Sequence, residues 1–189
     1  SSESLFFVDY AKRWGRKVML VARPGVSYLA YKLRGEQEVT HFAPRFQTMF
    51  SWSPDKHQAL QLFFALGNTF PTLNTVNAAE QQVDRVLVRR GNPTMDNSTL
   101  LGPALTYMLN FKKWSALLSA NYDYMSNAIA NVYLRDNSRL INTYSSDTRY
   151  HQFQLLLSAT WKPMSDFNVK WEGGYDYYRV SGAADERLG

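Results

Sequence analysis

The sequence predicts an all-β protein. It reads as an antiparallel up-and-down segment of a transmembrane β-barrel, with about eight strands in four hairpins, short turns at one end and long loops at the other. Three observations predict this. The first is the alternation from His151 to Tyr177. Phe153, Leu155, Leu157, Ala159 and Trp161 share one face, and after a tight turn so do Phe167, Val169, Trp171, Tyr175 and Tyr177. Between them stand Gln152, Gln154, Leu156, Ser158 and Thr160, and then Asn168, Lys170, Glu172, Gly174 and Asp176, polar but for Leu156 and Gly174. This is a period of two, in limbs of roughly 9–11 residues, which suits a tilted strand crossing a membrane. The second is that short connections alternate with long ones. The third is that Trp14, Trp52, Trp114 and Trp161 all lie in or beside a short turn. Indole settles at a membrane–water boundary, so these four read as an aromatic girdle at one height.

The elements follow in order. The first pair runs Leu5–Lys12, turns at Arg13-Trp14-Gly15-Arg16 and returns along Val18–Leu33, with poor alternation. The second places Phe46, Thr48, Phe50 and Trp52 on one face, turns at Ser53–His57, and returns with Leu60, Leu62, Phe64 and Leu66. The third runs Leu101–Phe111, turns at Lys112-Lys113 and returns from Trp114. There Ala116, Leu118, Ala120, Tyr122 and Tyr124 alternate with Ser115, Leu117, Ser119, Asn121 and Asp123, apolar once in five. The fourth is the 151–177 hairpin. Long loops are expected at 34–40, 68–100 and 135–149.

The segment Phe70–Leu100 does not alternate. Ala78–Val88 is expected to form a short helix, with Val83, Val86 and Leu87 on one face and Gly91-Asn92-Pro93 stopping it. A connection of this length points to function. With the tip Arg135–Arg149, it is where solute-selecting residues are expected. Arg89, Arg90 and Tyr144 are the candidate ligand contacts, on location alone.

Composition agrees. The 189 residues suffice for one domain with a core, and there is no cysteine. Aromatics make up 15%, which favours strands and membrane interfaces. Mean hydropathy is −0.38, compatible with a barrel because only every second residue meets lipid. No run is apolar enough for a transmembrane helix. The net charge of +5 reads as surplus loop and lumen Lys and Arg, not as a nucleic-acid surface. The chain opens on Ser1 and ends just after a strand, so 1–189 is expected to be a single β-barrel region within a larger barrel.

The stretch FAPRFQTMFSWSPDKHQALQLFFALGNTFPTLN, followed by a loop closing on RRGNPTMDNSTL, resembles the C-terminal barrel region of TonB-dependent outer-membrane receptors. The Bacteroidetes-type outer-membrane β-barrel family is the sub-group it is most similar to. Gly91-Asn92-Pro93 matches that family's Gly-Asn-Pro element. Met95 stands where Leu is usual, and Asn97-Ser98 replaces Pro-Glu. The resemblance covers about Val18 to Val180. It implies a nutrient transporter of the bacterial outer membrane. Its implied partners are outer-membrane lipid, the remainder of the barrel and its plug, TonB and a surface lipoprotein reached through other regions, and an unknown solute.

Chemical motifs are absent. His41, His57 and His151 are not spaced as zinc ligands, so no metal is expected. No nucleophile elbow or phosphate-binding loop occurs. Asp123, Lys170, Glu172 and Asp176 share a polar face, read as a hydrated lumen wall and not as acid–base machinery. No enzyme activity and no cofactor are expected. Asn97-Ser98-Thr99 fits a glycosylation acceptor, a match common by chance. Two alternatives stand beside the transporter reading. One is a small complete eight-stranded barrel acting as anchor or adhesin. The other is a soluble β-barrel or sandwich binding module, which would bury Leu118 and Leu155 where a membrane barrel shows them to lipid.

Overall fold

The computed structural model describes residues 2–32, 38–136 and 138–182. They form one curled sheet of eleven strands. β1 (Ser2–Phe7) and β2 (Tyr10–Trp14) both pair with β3 (Val18–Lys32). The order continues through β4 (Glu38–Asp55), β5 (Gln58–Thr69), β8 (Ser98–Asn110), β9 (Trp114–Asp136), β10 (Arg139–Met164) and β11 (Phe167–Ser181). These pairings are all antiparallel. Between β5 and β8 lie α1 (Leu73–Val76), β6 (Gln81–Gln82) and β7 (Leu87–Arg89). β7 runs parallel to the upper part of β10, above the stretch that β11 covers. Among the described residues β11 does not pair with β1 or β2, so the sheet is open.

Eleven strands stand where about eight were expected. The first limb breaks into β1 and β2 at Val8-Asp9, opposite Pro24. Proline offers no N–H to the ladder, so the pairing is interrupted there without a change of register, and only the Val8 N–H reaches across, to the Pro24 carbonyl at 2.9 Å. This break is why the alternation of Leu5–Lys12 reads poorly. The other two extra strands, β6 and β7, form a small hairpin in the long connection.

Register makes the two faces explicit. One row across the sheet reads Lys12, Leu20, Phe50, Leu62, Leu105, Ala120, Leu155 and Tyr175, apolar from Leu20 onward. The adjacent row reads Met19, Ser51, Gln61, Thr106, Ser119, Leu156 and Gly174, and the next ends in Asn121, Gln154 and Asp176. A one-residue slip would exchange the faces, so the pattern fixes the register. The opposite face is mixed, since Met49 and Phe63 lie on it beside the polar residues.

The tight turns fall where expected, at residues 15–17, 56–57, 112–113 and 165–166. Gly15 sits at φ +59°, where an L side chain is strained. The expected loop 34–40 lies largely on residues 33–37, outside the described set, and β4 takes its end. The expected loop 135–149 is instead strand. β9 and β10 pair up to Asp136 and Arg139, giving strands of 23 and 26 residues. Only about 9–11 residues cross an outer membrane, so this hairpin stands well clear of it in any barrel setting. The apolar alternation ends near Tyr124 and His151, just where the pairing becomes irregular. There Asn127 adopts φ +53°, a left-handed conformation that Asn tolerates better than most residues.

A single open sheet buries little on its own. The buried apolar cluster is small: Leu29, Ala43, Phe70, Val76 and Met95, with Val39, Ile129 and Tyr144 packed against it; Ala30, Val88, Val132 and Ile141 are buried outside it. It forms where the β5–β8 connection folds over the sheet, at the end away from the short turns. Leu29 and Ala43 belong to the mixed face because they share the phase of Ser27 on β3 and of Arg45 and Gln47 on β4.

Candidate functional site

The connection 70–97 is held to the sheet at several points. Phe70, Val76 and Met95 are buried in the small core. The Gly91 N–H donates to the Asn77 carbonyl at 2.9 Å, and the Asn92 N–H to the Thr75 carbonyl at 2.7 Å. The Asn92 side-chain amide donates to the Tyr144 carbonyl at 3.0 Å. The Arg90 N–H donates to the Asn142 carbonyl at 2.9 Å, and the Asp96 N–H to Ser146 Oγ at 3.1 Å. Gly91-Asn92-Pro93 thus brings the return limb of the loop against the end of α1. A Cβ on Gly91 would overlap Asn77 O and lie 2.8 Å from Asn77 N and Thr75 O, so only glycine fits this approach.

The base of the loop rests on a polar network. Ser27 is fully buried, and its Oγ donates to Asn68 Oδ1 at 2.7 Å. Arg45 Nε donates to the same oxygen at 2.9 Å, and its Nη2 to the Asn68 carbonyl at 2.8 Å. Three neighbouring strands are tied together where β5 leaves the sheet. Charge-assisted hydrogen bonds of this kind are stronger than neutral ones.

The helix expected over 78–88 does not form. Val83 and Val86 are 50% and 54% exposed, so they present no apolar stripe to anything. Asp84 Oδ1 accepts the N–H groups of Val86 and Leu87, both at 2.7 Å, and closes a turn between β6 and β7. Asp side chains compete with helix in this way. The Val86 N–H, then the Leu87 N–H, hold the Asp84 carboxyl below its ordinary pKa.

This arrangement leaves a cleft of about 470 Å³ between α1, the β6–β7 hairpin and β10. Asn74, Asn77, Glu80, Gln81, Arg89, Gly91 and Tyr144 line it. Arg89 and Tyr144, two of the three residues singled out from sequence, meet here. Arg90 lies alongside, with its Nη1 3.4 Å from Glu80 Oε1. Both partners are well exposed, so that pair adds little stability. Arg89 has no ion-pair partner among the described residues. Sequence reading missed Asn74, Asn77, Glu80 and Gln81; the run of Asn and Gln from Asn74 to Gln82 was the available signal. The cleft offers amides, the Arg89 cation, the Glu80 carboxylate and a phenol, which suits binding of a polar solute. Among the described residues no three His, Asp or Glu side chains cluster as metal ligands.

The four tryptophans lie on the apolar face at the turn end. Trp14 pairs with Val18, which pairs with Trp52, and Trp114 pairs with Trp161. All are exposed, from 38% at Trp52 to 55% at Trp161. His57 bonds the Asn110 carbonyl through Nδ1 at 2.7 Å and stacks on Phe111, which stacks on Trp114.

No family model matches the chain, and no curated protein matches it in sequence. Its fold does match solved structures. The chain superposes on the copper transporter OprC with a TM-score of 0.68 at 10% identity, over 98% of this chain and 30% of that one. It superposes on the F5-1 variant of the FrpB iron transporter from Neisseria meningitidis with a TM-score of 0.70 at 11% identity, over 96% of this chain and 27% of that one. The chain therefore spans less than a third of the length of these transporters, and what it shares with them is the fold of a barrel wall.

Proposed function

We propose that the chain is part of the wall and mouth of a bacterial outer-membrane transport barrel. It takes part in uptake of a polar solute, and the connection 70–97 contacts that solute. The observation that carries this reading is the placement of the connection. It folds over the mixed face at the end opposite the short turns and gathers Arg89 and Tyr144 into one cleft. The predominantly apolar rows support contact of the other face with lipid, with the tryptophans as its girdle. The open edges support completion of the barrel by further strands, because unpaired backbone is costly in lipid. They argue against the small closed eight-stranded barrel.

The fold shared with two transporters supports a transport role, and the resemblance to TonB-dependent receptors supplies its energy source. In that reading TonB, a plug and a surface lipoprotein act through other regions. The structural reason for Gly91 supports the Bacteroidetes-type sub-group, whose Gly-Asn-Pro element it matches. The test is replacement of residues 78–90 by a Gly-Ser linker in the whole protein, followed by uptake and barrel-folding measurements. Loss or altered selectivity of uptake with a folded barrel is expected. Unchanged uptake would overturn the assignment of the loop.

A further inference from the structure

We infer that the short-turn end of the sheet is a docking surface for the headgroups of anionic phospholipids, an inference that rests on the membrane reading above. Arg16, Lys17, Lys56, Lys112 and Lys113 lie in the turns and Lys162 at the adjoining end of β10, all exposed. The only acids in these turns are Asp55 and Asp166. The surplus of four cations there compares with a net charge of +5 for the whole chain, so the positive charge is gathered at one end. Among the described residues none of the six is in an ion pair. Asp55 is already engaged: its carboxylate accepts the His57 N–H at 2.7 Å and the Gln58 amide at 3.3 Å.

The charge is positioned for lipid and not for anions in general. The cations form the rim directly beyond the tryptophans, on strands whose apolar face continues away from them. Lys12 makes the link, since it lies on the apolar face in the row of Leu20 and carries its ammonium 5.2 Å from the Trp14 ring. A lysine so placed covers apolar surface with its stem and reaches the interface with its charge. An apolar band, then indole, then unpaired cations is the order in which a leaflet presents acyl chain, carbonyl and phosphate.

The test uses the intact protein in non-ionic detergent, titrated with phosphatidylglycerol or phosphatidylethanolamine and read by native mass spectrometry. Phosphatidylglycerol is expected to bind about tenfold more tightly, with the preference falling as salt rises. A variant with Arg16, Lys17, Lys112 and Lys113 each changed to Gln is expected to lose that preference. Arg139→Gln with Arg149→Gln, at the far end, is expected to keep it. Because the salt dependence is read on the unaltered protein, poor folding of a variant does not remove the test. Equal binding of the two lipids, a preference indifferent to salt and to the four changes, or equal competition by inorganic phosphate would overturn the inference. Tryptophan quenching by brominated lipids separates this from the parent reading. Quenching without lipid preference refutes the docking surface alone, and no quenching refutes the membrane wall and the docking surface together.

Discussion

Gly91→Ala isolates the hold of the loop on the wall. The added methyl would overlap the Asn77 carbonyl and stand 2.8 Å from two further backbone atoms, Asn77 N and Thr75 O. Backbone cannot swing aside as a side-chain tip can, so α1 and the 91–92 segment must part. That costs the Gly91-to-Asn77 and Asn92-to-Thr75 hydrogen bonds, of 2.9 and 2.7 Å. At about 0.5–1.5 kcal/mol each, the loss is about 1–3 kcal/mol. Hydrogen exchange followed by mass spectrometry on the intact protein reads this directly. Peptides from 70–97 should exchange roughly 5- to 150-fold faster, while β8–β11 peptides stay unchanged, because the wall does not depend on these bonds. Gly67→Ala is the internal control, since a Cβ there meets nothing within 4 Å. Unchanged protection in 70–97, or equal loss in loop and wall, would refute the reasoning.

Other outcomes follow from the same geometry. Leu155→Arg, at the middle of an apolar row, should destabilise the folded protein in lipid by about 2–4 kcal/mol. Gln154→Arg, its neighbour on the other face, should stay within about 0.5 kcal/mol in the same urea titration. Arg45→Met should cost about 3 kcal/mol or more by the same titration, because it strips Asn68 of two charge-assisted bonds worth about 1.5–3 kcal/mol each. The depressed Asp84 pKa stabilises the β6–β7 turn above the ordinary carboxylate value of about 3.9, and that contribution is lost as pH falls through the folded value. Protection of the Val86 and Leu87 amides, corrected for intrinsic rate, should therefore fall below pH about 4, and Asp84→Asn should flatten that dependence.

The wall was legible in the sequence because its physics is local. Alternation of period two needs only the chain's own residues, and the turn positions at Gly15, Lys56, Lys112 and Asp166 follow from turn chemistry. The loop was not legible, because its conformation is decided by what it touches. Val83, Val86 and Leu87 have helical spacing, yet Asp84 captures two backbone N–H groups and β7 finds an edge on β10. The 135–149 tip has the composition of a loop, and it is strand because each of its limbs has a pairing partner. The pairing of β7 with β10 joins segments far apart in the chain and leaves no mark in either alone. For the same reason Arg89 and Tyr144 were picked by location, while Glu80 and Asn77, which complete the cleft around them, were not picked at all.

This division bears on how the cleft works. The ladders of β8, β9 and β10 hold the wall, while the loop rests on a few backbone bonds and a core of five buried apolar residues. Its opening free energy must therefore lie below that of the wall, the usual position for a segment that admits a ligand. The cleft draws Asn77 from the end of α1, Arg89 from β7 and Tyr144 from β10, three pieces that separate when the loop opens. A solute bridging them binds the closed form only, and it must raise loop protection in proportion to its concentration over its dissociation constant. A solute at 100 times that constant adds about 2.7 kcal/mol, comparable to the whole loss expected from Gly91→Ala. The variant's slow exchange should then be restored by a solute that bridges the cleft and by no unrelated one, which turns a stability defect into a screen for what the cleft binds.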